Sequence, residues 1–582
     1  MKARRATVAL ALLLGLAGVA GCASVPSSSP VQVLRQVSAG DDAAPPRGPT
    51  EGSNPLDLVR EFVTASGSST DKHGAARRFL APEAAGWDDA AGITVLDGQI
   101  DTIPAPTGPG QGAQGAAVDT TTIRIRGTSI GRVNSAGSFE PAQATFQLDV
   151  DVVRRDGQWR ISRLPDGVVV PLSTFRDNYR TVRTWFVDPV RRMVVADLRY
   201  VPSVPAKAQA ARVMELLRAG PSRALIGAVS SEITEGAQLR SNVAVGADGA
   251  LVVDLMRMSD LNEADRRLLA AQVVLSLAEV NVARVRLQVD GEPLLPGKSD
   301  WTRDDVAALS ADVQPGADVP ALVVTGGRVE QLAGLSPAAP LPGPVGNGAY
   351  NVESAASTVD GQRLAVVTRS GDGRTLLVGG GSGGVAPVAL TARTMTRPSW
   401  TPTGHEVWTV LNSSVVARVT VADPGPARTG QVNSDELASL GPISDLRLSR
   451  DGMRVVAVVG GGLYTAAVAR SIDGEVAIRN VRRLRSADLG QVVAVDWRST
   501  ESIVAITGSA DPEVVQVSVD GLTLAPVPGN NLTPPLTAVA AAPSRPTLVT
   551  DQGGVWSFGG GEQDAWRQVL DGAPNAVPNY PG

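Results

Sequence analysis

The chain has 582 residues, 43 % hydrophobic and 19 % charged, with a formal net charge of −5 and a single cysteine. Its length exceeds what one hydrophobic core serves, so three or four domains are expected. The acidic balance, with no basic tract against it, argues against nucleic-acid binding, and one cysteine excludes an intramolecular disulfide.

Residues 1–21 have the parts of a secretory signal peptide: basic Lys2, Arg4 and Arg5, then an apolar run from Val8 to Val19. That run is too short to span a bilayer comfortably. It ends in Val19, Ala20, Gly21 and Cys22. This tetrad resembles a bacterial lipobox. The resemblance implies cleavage between Gly21 and Cys22, an S-diacylglycerol on the Cys22 thiol and an N-acyl group such as palmitate on its amine. The alternative is an ordinary signal peptide with an incidental cysteine. Residues 22–53 are rich in Ser, Pro, Gly and Asp and read as a lipidated, flexible tether. Some thirty residues would reach ~100 Å when extended and average nearer ~30 Å as a coil.

A first α+β unit is expected over 54–172. Asn54 as N-cap, Pro55 at the first position and Asp57 in the first turn announce a helix with Leu58, Val59, Phe62 and Val63 on one face. A second short helix is expected over Lys72–Leu80. Strands follow at Ile93–Leu96, Thr121–Gly127, Thr145–Val153 and, after the Asp156-Gly157 turn, Trp159–Ser162. The closing Asp156–Ile161 segment resembles the last strand of the NTF2-like fold, which fixes no function.

A second α+β unit is expected over 179–297. Thr184–Asp188 and Met193–Tyr200 read as a hairpin. Ala206–Arg218 reads as a helix stopped by Gly220-Pro221, Gly236–Val245 and Ala250–Asp254 as strands, and Val285–Val289 as the last strand. The longest helix starts at a capping-box-like Asp260 and Glu263 and carries Ala264, Leu268, Ala271, Val274, Leu275 and Ala278 at helical spacing. The Leu216–Leu225 run and the Val252–Leu255 strand resemble the GerMN domain of bacterial cell-surface proteins. A generic α+β sandwich is the alternative.

From Trp301 to residue 582 strand and turn signals dominate. A strand–turn–strand unit recurs in Ser357–Val367, Trp400–Val410, Leu448–Val458, Trp497–Ile506 and Ala542–Thr550. Its turns fall at residues 361, 404, 452, 501 and 545, spaced by 43–49 residues. That period with short strands fits the blades of an all-β propeller, here of five or six blades. Ala321–Gln331 and strands around Val555–Val569 are expected to share the closing blade. A pair of β-sandwiches is the alternative.

Chemistry is sparse. His73, on a helix, and His405, in a blade turn, read as structural or solvated residues. Gly380 to Gly384 matches Gly-x-Ser-x-Gly, but Pro387 follows where a nucleophile elbow needs a helix, so a hairpin loop is expected. Asp360 and Asp451 lie in Asp-Gly turns, where their carboxylates bond local amides. Trp400, Trp408, Trp497 and Trp556 read as blade core. No catalytic residue, metal ligand, cofactor or ligand-binding residue is assigned; the one assigned site residue is Cys22.

The order of lipobox, NTF2-like unit, GerMN-like unit and propeller resembles the actinobacterial lipoprotein LpqB family. That resemblance implies a non-enzymatic accessory protein on the extracytoplasmic face of the cell membrane. It implies association with the sensor kinase MtrB of the MtrAB two-component system, influencing cell-wall homeostasis and division. The alternative is a lipoprotein that binds cell-wall glycan or a small ligand.

Overall fold

The computed structural model describes residues 48–106, 119–204, 208–332, 339–422, 425–509, 513–561 and 564–582. Gly21, Cys22 and most of the expected tether lie outside the described residues.

Helix α1 (Pro55–Ala65) starts as its sequence signals predict. The Asn54 Oδ1 accepts the Asp57 N–H at 3.0 Å, and Leu58, Val59, Phe62 and Val63 are buried. The second helix, α2 (Thr70–Arg77), starts two residues earlier and ends three residues sooner than expected, and Asp71, Lys72 and His73 in its first turn stand in the left-handed region at φ 51°, 53° and 56°. The helices pack on a five-stranded sheet of β1 (Ile93–Pro104), β2 (Thr120–Val133), β3 (Phe139–Arg155), β4 (Gln158–Arg163) and β5 (Val168–Pro171) in the order β4-β3-β2-β1-β5. Val95, Ile123, Ile125, Val150, Val152 and Ile161 face α1 in one core. β2 and β3 are far longer than expected, since only their middle stretches alternate cleanly. They bend at Gly131, φ 154°, where a Cβ would meet the Glu140 carbonyl at 2.4 Å. β5, which runs parallel to β1, had too short an apolar run to stand out.

Helix α3 (Leu172–Asn178) leads straight into a long hairpin, β6 (Tyr179–Asp188) and β7 (Met193–Pro202), paired over ten residue pairs. The second core then adds α4 (Gln209–Arg218), two-residue strands β8 (Gln238–Leu239) and β9 (Ala244–Val245), β10 (Leu251–Met256), α5 (Glu263–Ala278) and β11 (Val285–Val289). β10 and β11 are parallel. The cap of α5 is Asn262, whose Oδ1 accepts the Asp265 N–H at 3.0 Å, rather than Asp260. Every residue from Leu268 to Leu277 on α5 is buried, so this helix is enclosed all round and not merely along one stripe. Trp301, from which the sequence reading counts the propeller, pairs with Val285 and is buried in this second core with Val306 and Ala311.

The remainder is β apart from the one-turn helix Asp435–Ala438. Among the described residues it forms six four-stranded sheets, the blades of a propeller. Five of them run consecutively along the chain and begin at Val352, Ser399, Ile443, Val492 and Ala538. Each expected turn lies between the first and second strand of its blade. The same bonding recurs in two of these turns. Thr358 Oγ1 and Ser449 Oγ each donate to the carboxylate two residues on, at 2.5 Å to Asp360 and more closely to Asp451. Those carboxylates in turn accept the amides of Gln362 and Met453. Blades are also stitched pairwise: the Trp400 Nε1 donates to the Ala356 carbonyl at 2.9 Å and the Trp497 Nε1 to the Arg447 carbonyl at 3.0 Å. Trp408 is fully buried, whereas Trp556 is only partly so.

The sixth blade joins distant segments. Ala321–Thr325, Arg328–Leu332 and Ala339–Pro340 come from its N-terminal side, and the innermost strand is Val577–Asn579, with Leu322 opposite Asn579 and Val324 opposite Val577. The region around Val555–Val569, expected to take that place, instead supplies the outer strands Gly554–Phe558 and Arg567–Asp571 of the preceding blade. Deleting residues 577–582 removes the closing strand and the buried Tyr580. At about 2–4 °C per kcal/mol for a domain of this size, losing several kcal/mol of packing lowers the propeller's melting temperature by about 10 °C or more, read by circular dichroism.

Candidate functional site

Residues 48–582 form one compact unit, and its three parts meet at β7. This strand carries Asp197, Leu198, Arg199 and Tyr200 in succession, so its alternating faces address different neighbours. The Arg199 side chain is 0 % exposed. Its Nη1 donates to the Ala136 carbonyl of the β2–β3 turn at 2.8 Å. Its Nη2 donates to Asp197 Oδ2 at 2.7 Å and to the Gly220 carbonyl beyond α4 at 3.0 Å. Asp197 is completed by Ser222, whose N–H and Oγ donate at 2.7 and 2.8 Å.

The propeller closes on the same strand. Tyr200 donates its hydroxyl to Asp520 at 2.8 Å, and burial together with that carboxylate pushes the phenol well above its ordinary range. Arg454 donates to the Ala196 carbonyl at 2.6 Å and to Asp451 at 2.7 Å. Leu522 of the propeller sits in the first core, and Met453 and Ala467 sit in the second. Further out, Arg183 of β6 meets Glu501 at 2.5 Å, and Gln143 of β3 meets Asp488 at 2.7 Å.

Beside these contacts lies a cavity of about 300 Å³, bounded by Glu140 of the first region, Leu198 of the second, and Arg482 and Asp520 of the propeller. Burial pulls Arg482 below the usual arginine range against the opposing effect of Asp520.

The propeller axis is a second cluster, and side chains cross it. Arg397 donates to the Val539 carbonyl at 2.7 Å, to Asp445 at 2.9 Å and to the Val495 carbonyl. Arg447 reaches the Pro398 carbonyl at 2.6 Å and pairs with Asp496. Arg450 donates to the carbonyls of Ala541 and Pro581, and burial lowers its pKa to about 10, still charged at neutral pH. These bonds tie the inner strands together.

The residues singled out by sequence fall elsewhere. His73 is buried in the first region, its Nδ1 2.8 Å from Asp89 and its Nε2 3.4 Å from the Tyr179 hydroxyl, with the Trp87 ring alongside. His405 is exposed at the turn before the second strand of its blade. Gly380 to Gly384 closes a hairpin between the strands Gly373–Gly380 and Val385–Ala392, so Ser382 is in a loop. Asp197 and Arg199 went unnoticed, though two charges inside the apolar run of Met193–Tyr200 were an available signal of a buried pair. Arg482 had none, because arginines on outer strands are commonplace.

Compared with known families, the model for the lipoprotein LpqB N-terminal domain matches residues 48–176, and one described as sporulation and spore germination matches 183–295. The lipoprotein LpqB beta-propeller domain matches 323–581. The class is therefore a multidomain lipoprotein with two α+β regions and a C-terminal propeller. A lipoprotein LpqB of Rhodococcus opacus (strain B4) is 32 % identical over 610 residues, covering 100 % of this chain and 99 % of its own. One of Mycolicibacterium smegmatis is 32 % identical over 598 residues, covering 98 % and 99 %. The chain belongs to the lipoprotein LpqB family.

Two predictions concern the buried charges. Arg199→Met leaves Asp197 short of its cation and costs about 3–5 kcal/mol, read from urea unfolding of the full chain. Burial works against ionisation of Asp89, but hydrogen bonds from His73 and Arg77 outweigh it and hold the carboxyl below its ordinary value. The native state therefore holds fewer protons there than the unfolded chain, and the stabilisation is complete above about pH 4–5 and lost as the pH falls. The stability gap between the protein and Asp89→Asn is wide at pH 6 and narrows by pH 3 in urea titrations.

Proposed function

We propose that this chain is an accessory lipoprotein, anchored through Cys22 on the extracytoplasmic face of the cell membrane. It acts without catalysis, by contacting the extracytoplasmic part of an MtrB-type sensor kinase and influencing its signalling, cell-wall homeostasis and division. The observation that carries the reading is the interlocking of three regions through buried arginines. A contact made by one region is felt by all three, as a scaffold between membrane and kinase requires. The lipobox-like Val19–Cys22 tetrad supports the anchor. Sharing one membrane raises the effective concentration of the two partners, so a weak contact is well occupied. A regulator must also bind the kinase's states unequally, or it shifts nothing.

A second reading, binding of cell-wall glycan or a small ligand, is favoured by the cavity at the three-way junction. Pull-down with immobilised wall glycan separates it from the kinase reading.

In native membranes, the chain with Cys22 intact crosslinks to the kinase's extracytoplasmic domain. Cys22→Ser lowers membrane retention and crosslinking yield by far more than tenfold, because two or more acyl chains are lost at ~0.8 kcal/mol per buried CH₂ and each ~1.4 kcal/mol is a factor of ten. A serine variant that stays membrane-bound, unprocessed and fully crosslinked removes the anchor from the account.

A further inference from the structure

The junction cavity has the low-end volume of a small-molecule site, about 300 Å³. Its walls are mixed: Phe139, Leu198 and Val519 are apolar, Glu140, Asp197 and Asp520 carry carboxylates, and Arg223, Arg454 and Arg482 carry guanidinium groups. The charged groups are not equally committed. Asp520 accepts from Tyr200 at 2.8 Å, from the Ser518 hydroxyl at 2.6 Å and from the Leu522 N–H at 3.1 Å. Arg454, also on the wall, spends its two terminal nitrogens on Asp451 and the Ala196 carbonyl. Arg482 differs: its Nε is sealed from solvent and has no hydrogen-bond partner. A buried donor left unmet is costly, and its persistence at the edge of a cavity marks the place for an acceptor.

We propose that this cavity binds a small organic zwitterion, its carboxylate on the Arg482 guanidinium and its ammonium toward Glu140. The planar fork of a guanidinium matches a carboxylate with two parallel bonds. Apolar walls favour an organic acid over an inorganic anion. The wall carries as many carboxylates as guanidinium groups, which suits a ligand with one charge of each sign. Only one Glu140 oxygen is engaged, Oε1 with Asn134 at 2.9 Å and with Arg223 at 3.6 Å. Because each region gives a wall, the occupant clasps all three together. The proposal rests on the ligand-binding reading and is independent of the kinase.

The test uses the full lipidated chain in detergent, with calorimetry and thermal melts. The probes are the dipeptide alanyl-alanine, its C-terminal amide, its N-acetyl derivative and inorganic phosphate. The dipeptide binds saturably and raises the melting temperature, because it binds only the assembled state. The amide and the N-acetyl form bind at least about tenfold more weakly, and so does the dipeptide to Arg482→Gln. Arg482→Lys recovers part of the affinity. Where Arg482→Gln fails to fold, Glu140→Gln serves in its place, abolishing the preference for the dipeptide over its N-acetyl form. Equal binding of dipeptide and amide, phosphate binding as tight as the dipeptide's, or no saturable binding at millimolar concentration overturns the proposal. Glycan capture by a chain that shows no saturable dipeptide binding overturns it while leaving the ligand-binding reading in place.

Discussion

A buried guanidinium must find its acceptors within the protein, because leaving water without them costs several kcal/mol. Arg199 meets that demand from three places at once: a carboxylate on its own strand, a carbonyl from the β2–β3 turn and a carbonyl beyond α4. None of the three belongs to a neighbour along the same helix or turn. The bonds of its two terminal nitrogens form only when the first and second regions are both folded and docked, and its Nε stays without a partner. Tyr200, one residue on, extends the same requirement to the propeller through Asp520. The hairpin of β6 and β7 is thus the member against which the other parts are registered.

The propeller solves the same problem at its axis. Three arginines lie there against two carboxylates, and backbone carbonyls of inner strands take the remaining donors. A core of valines and alanines holds adjacent blades face to face; Arg447 adds bonds between neighbours, while Arg397 and Arg450 also reach blades that do not touch theirs. The charges give direction and length to contacts that apolar packing leaves unspecified.

Much of this was legible in the chain. Asn54 and Asp57 announced α1, the Val285–Val289 run marked β11 residue for residue, and the spaced turns at 361, 404, 452, 501 and 545 announced five blades. These are local signals, in which a cap, an alternation or a turn is spelled by neighbours. What escaped is non-local. Val577–Asn579 is three residues long with a proline in the middle, and becomes a strand only because Ala321–Thr325 offers it an edge. The enclosure of α5 on every side depends on what packs over it. The junction is assembled from residues more than three hundred positions apart, such as Tyr200 and Asp520, and Arg482 spells nothing on its own.

That closing strand also sets an order of events. Leu322 and Asn579 pair across a separation of some 250 residues, so the contact is among the last that local growth can reach. Until it forms, the edge of Ala321–Thr325 is an unpaired template for any extended chain nearby. The propeller is therefore most vulnerable not in its finished state but in the interval when five blades stand and the ring is open.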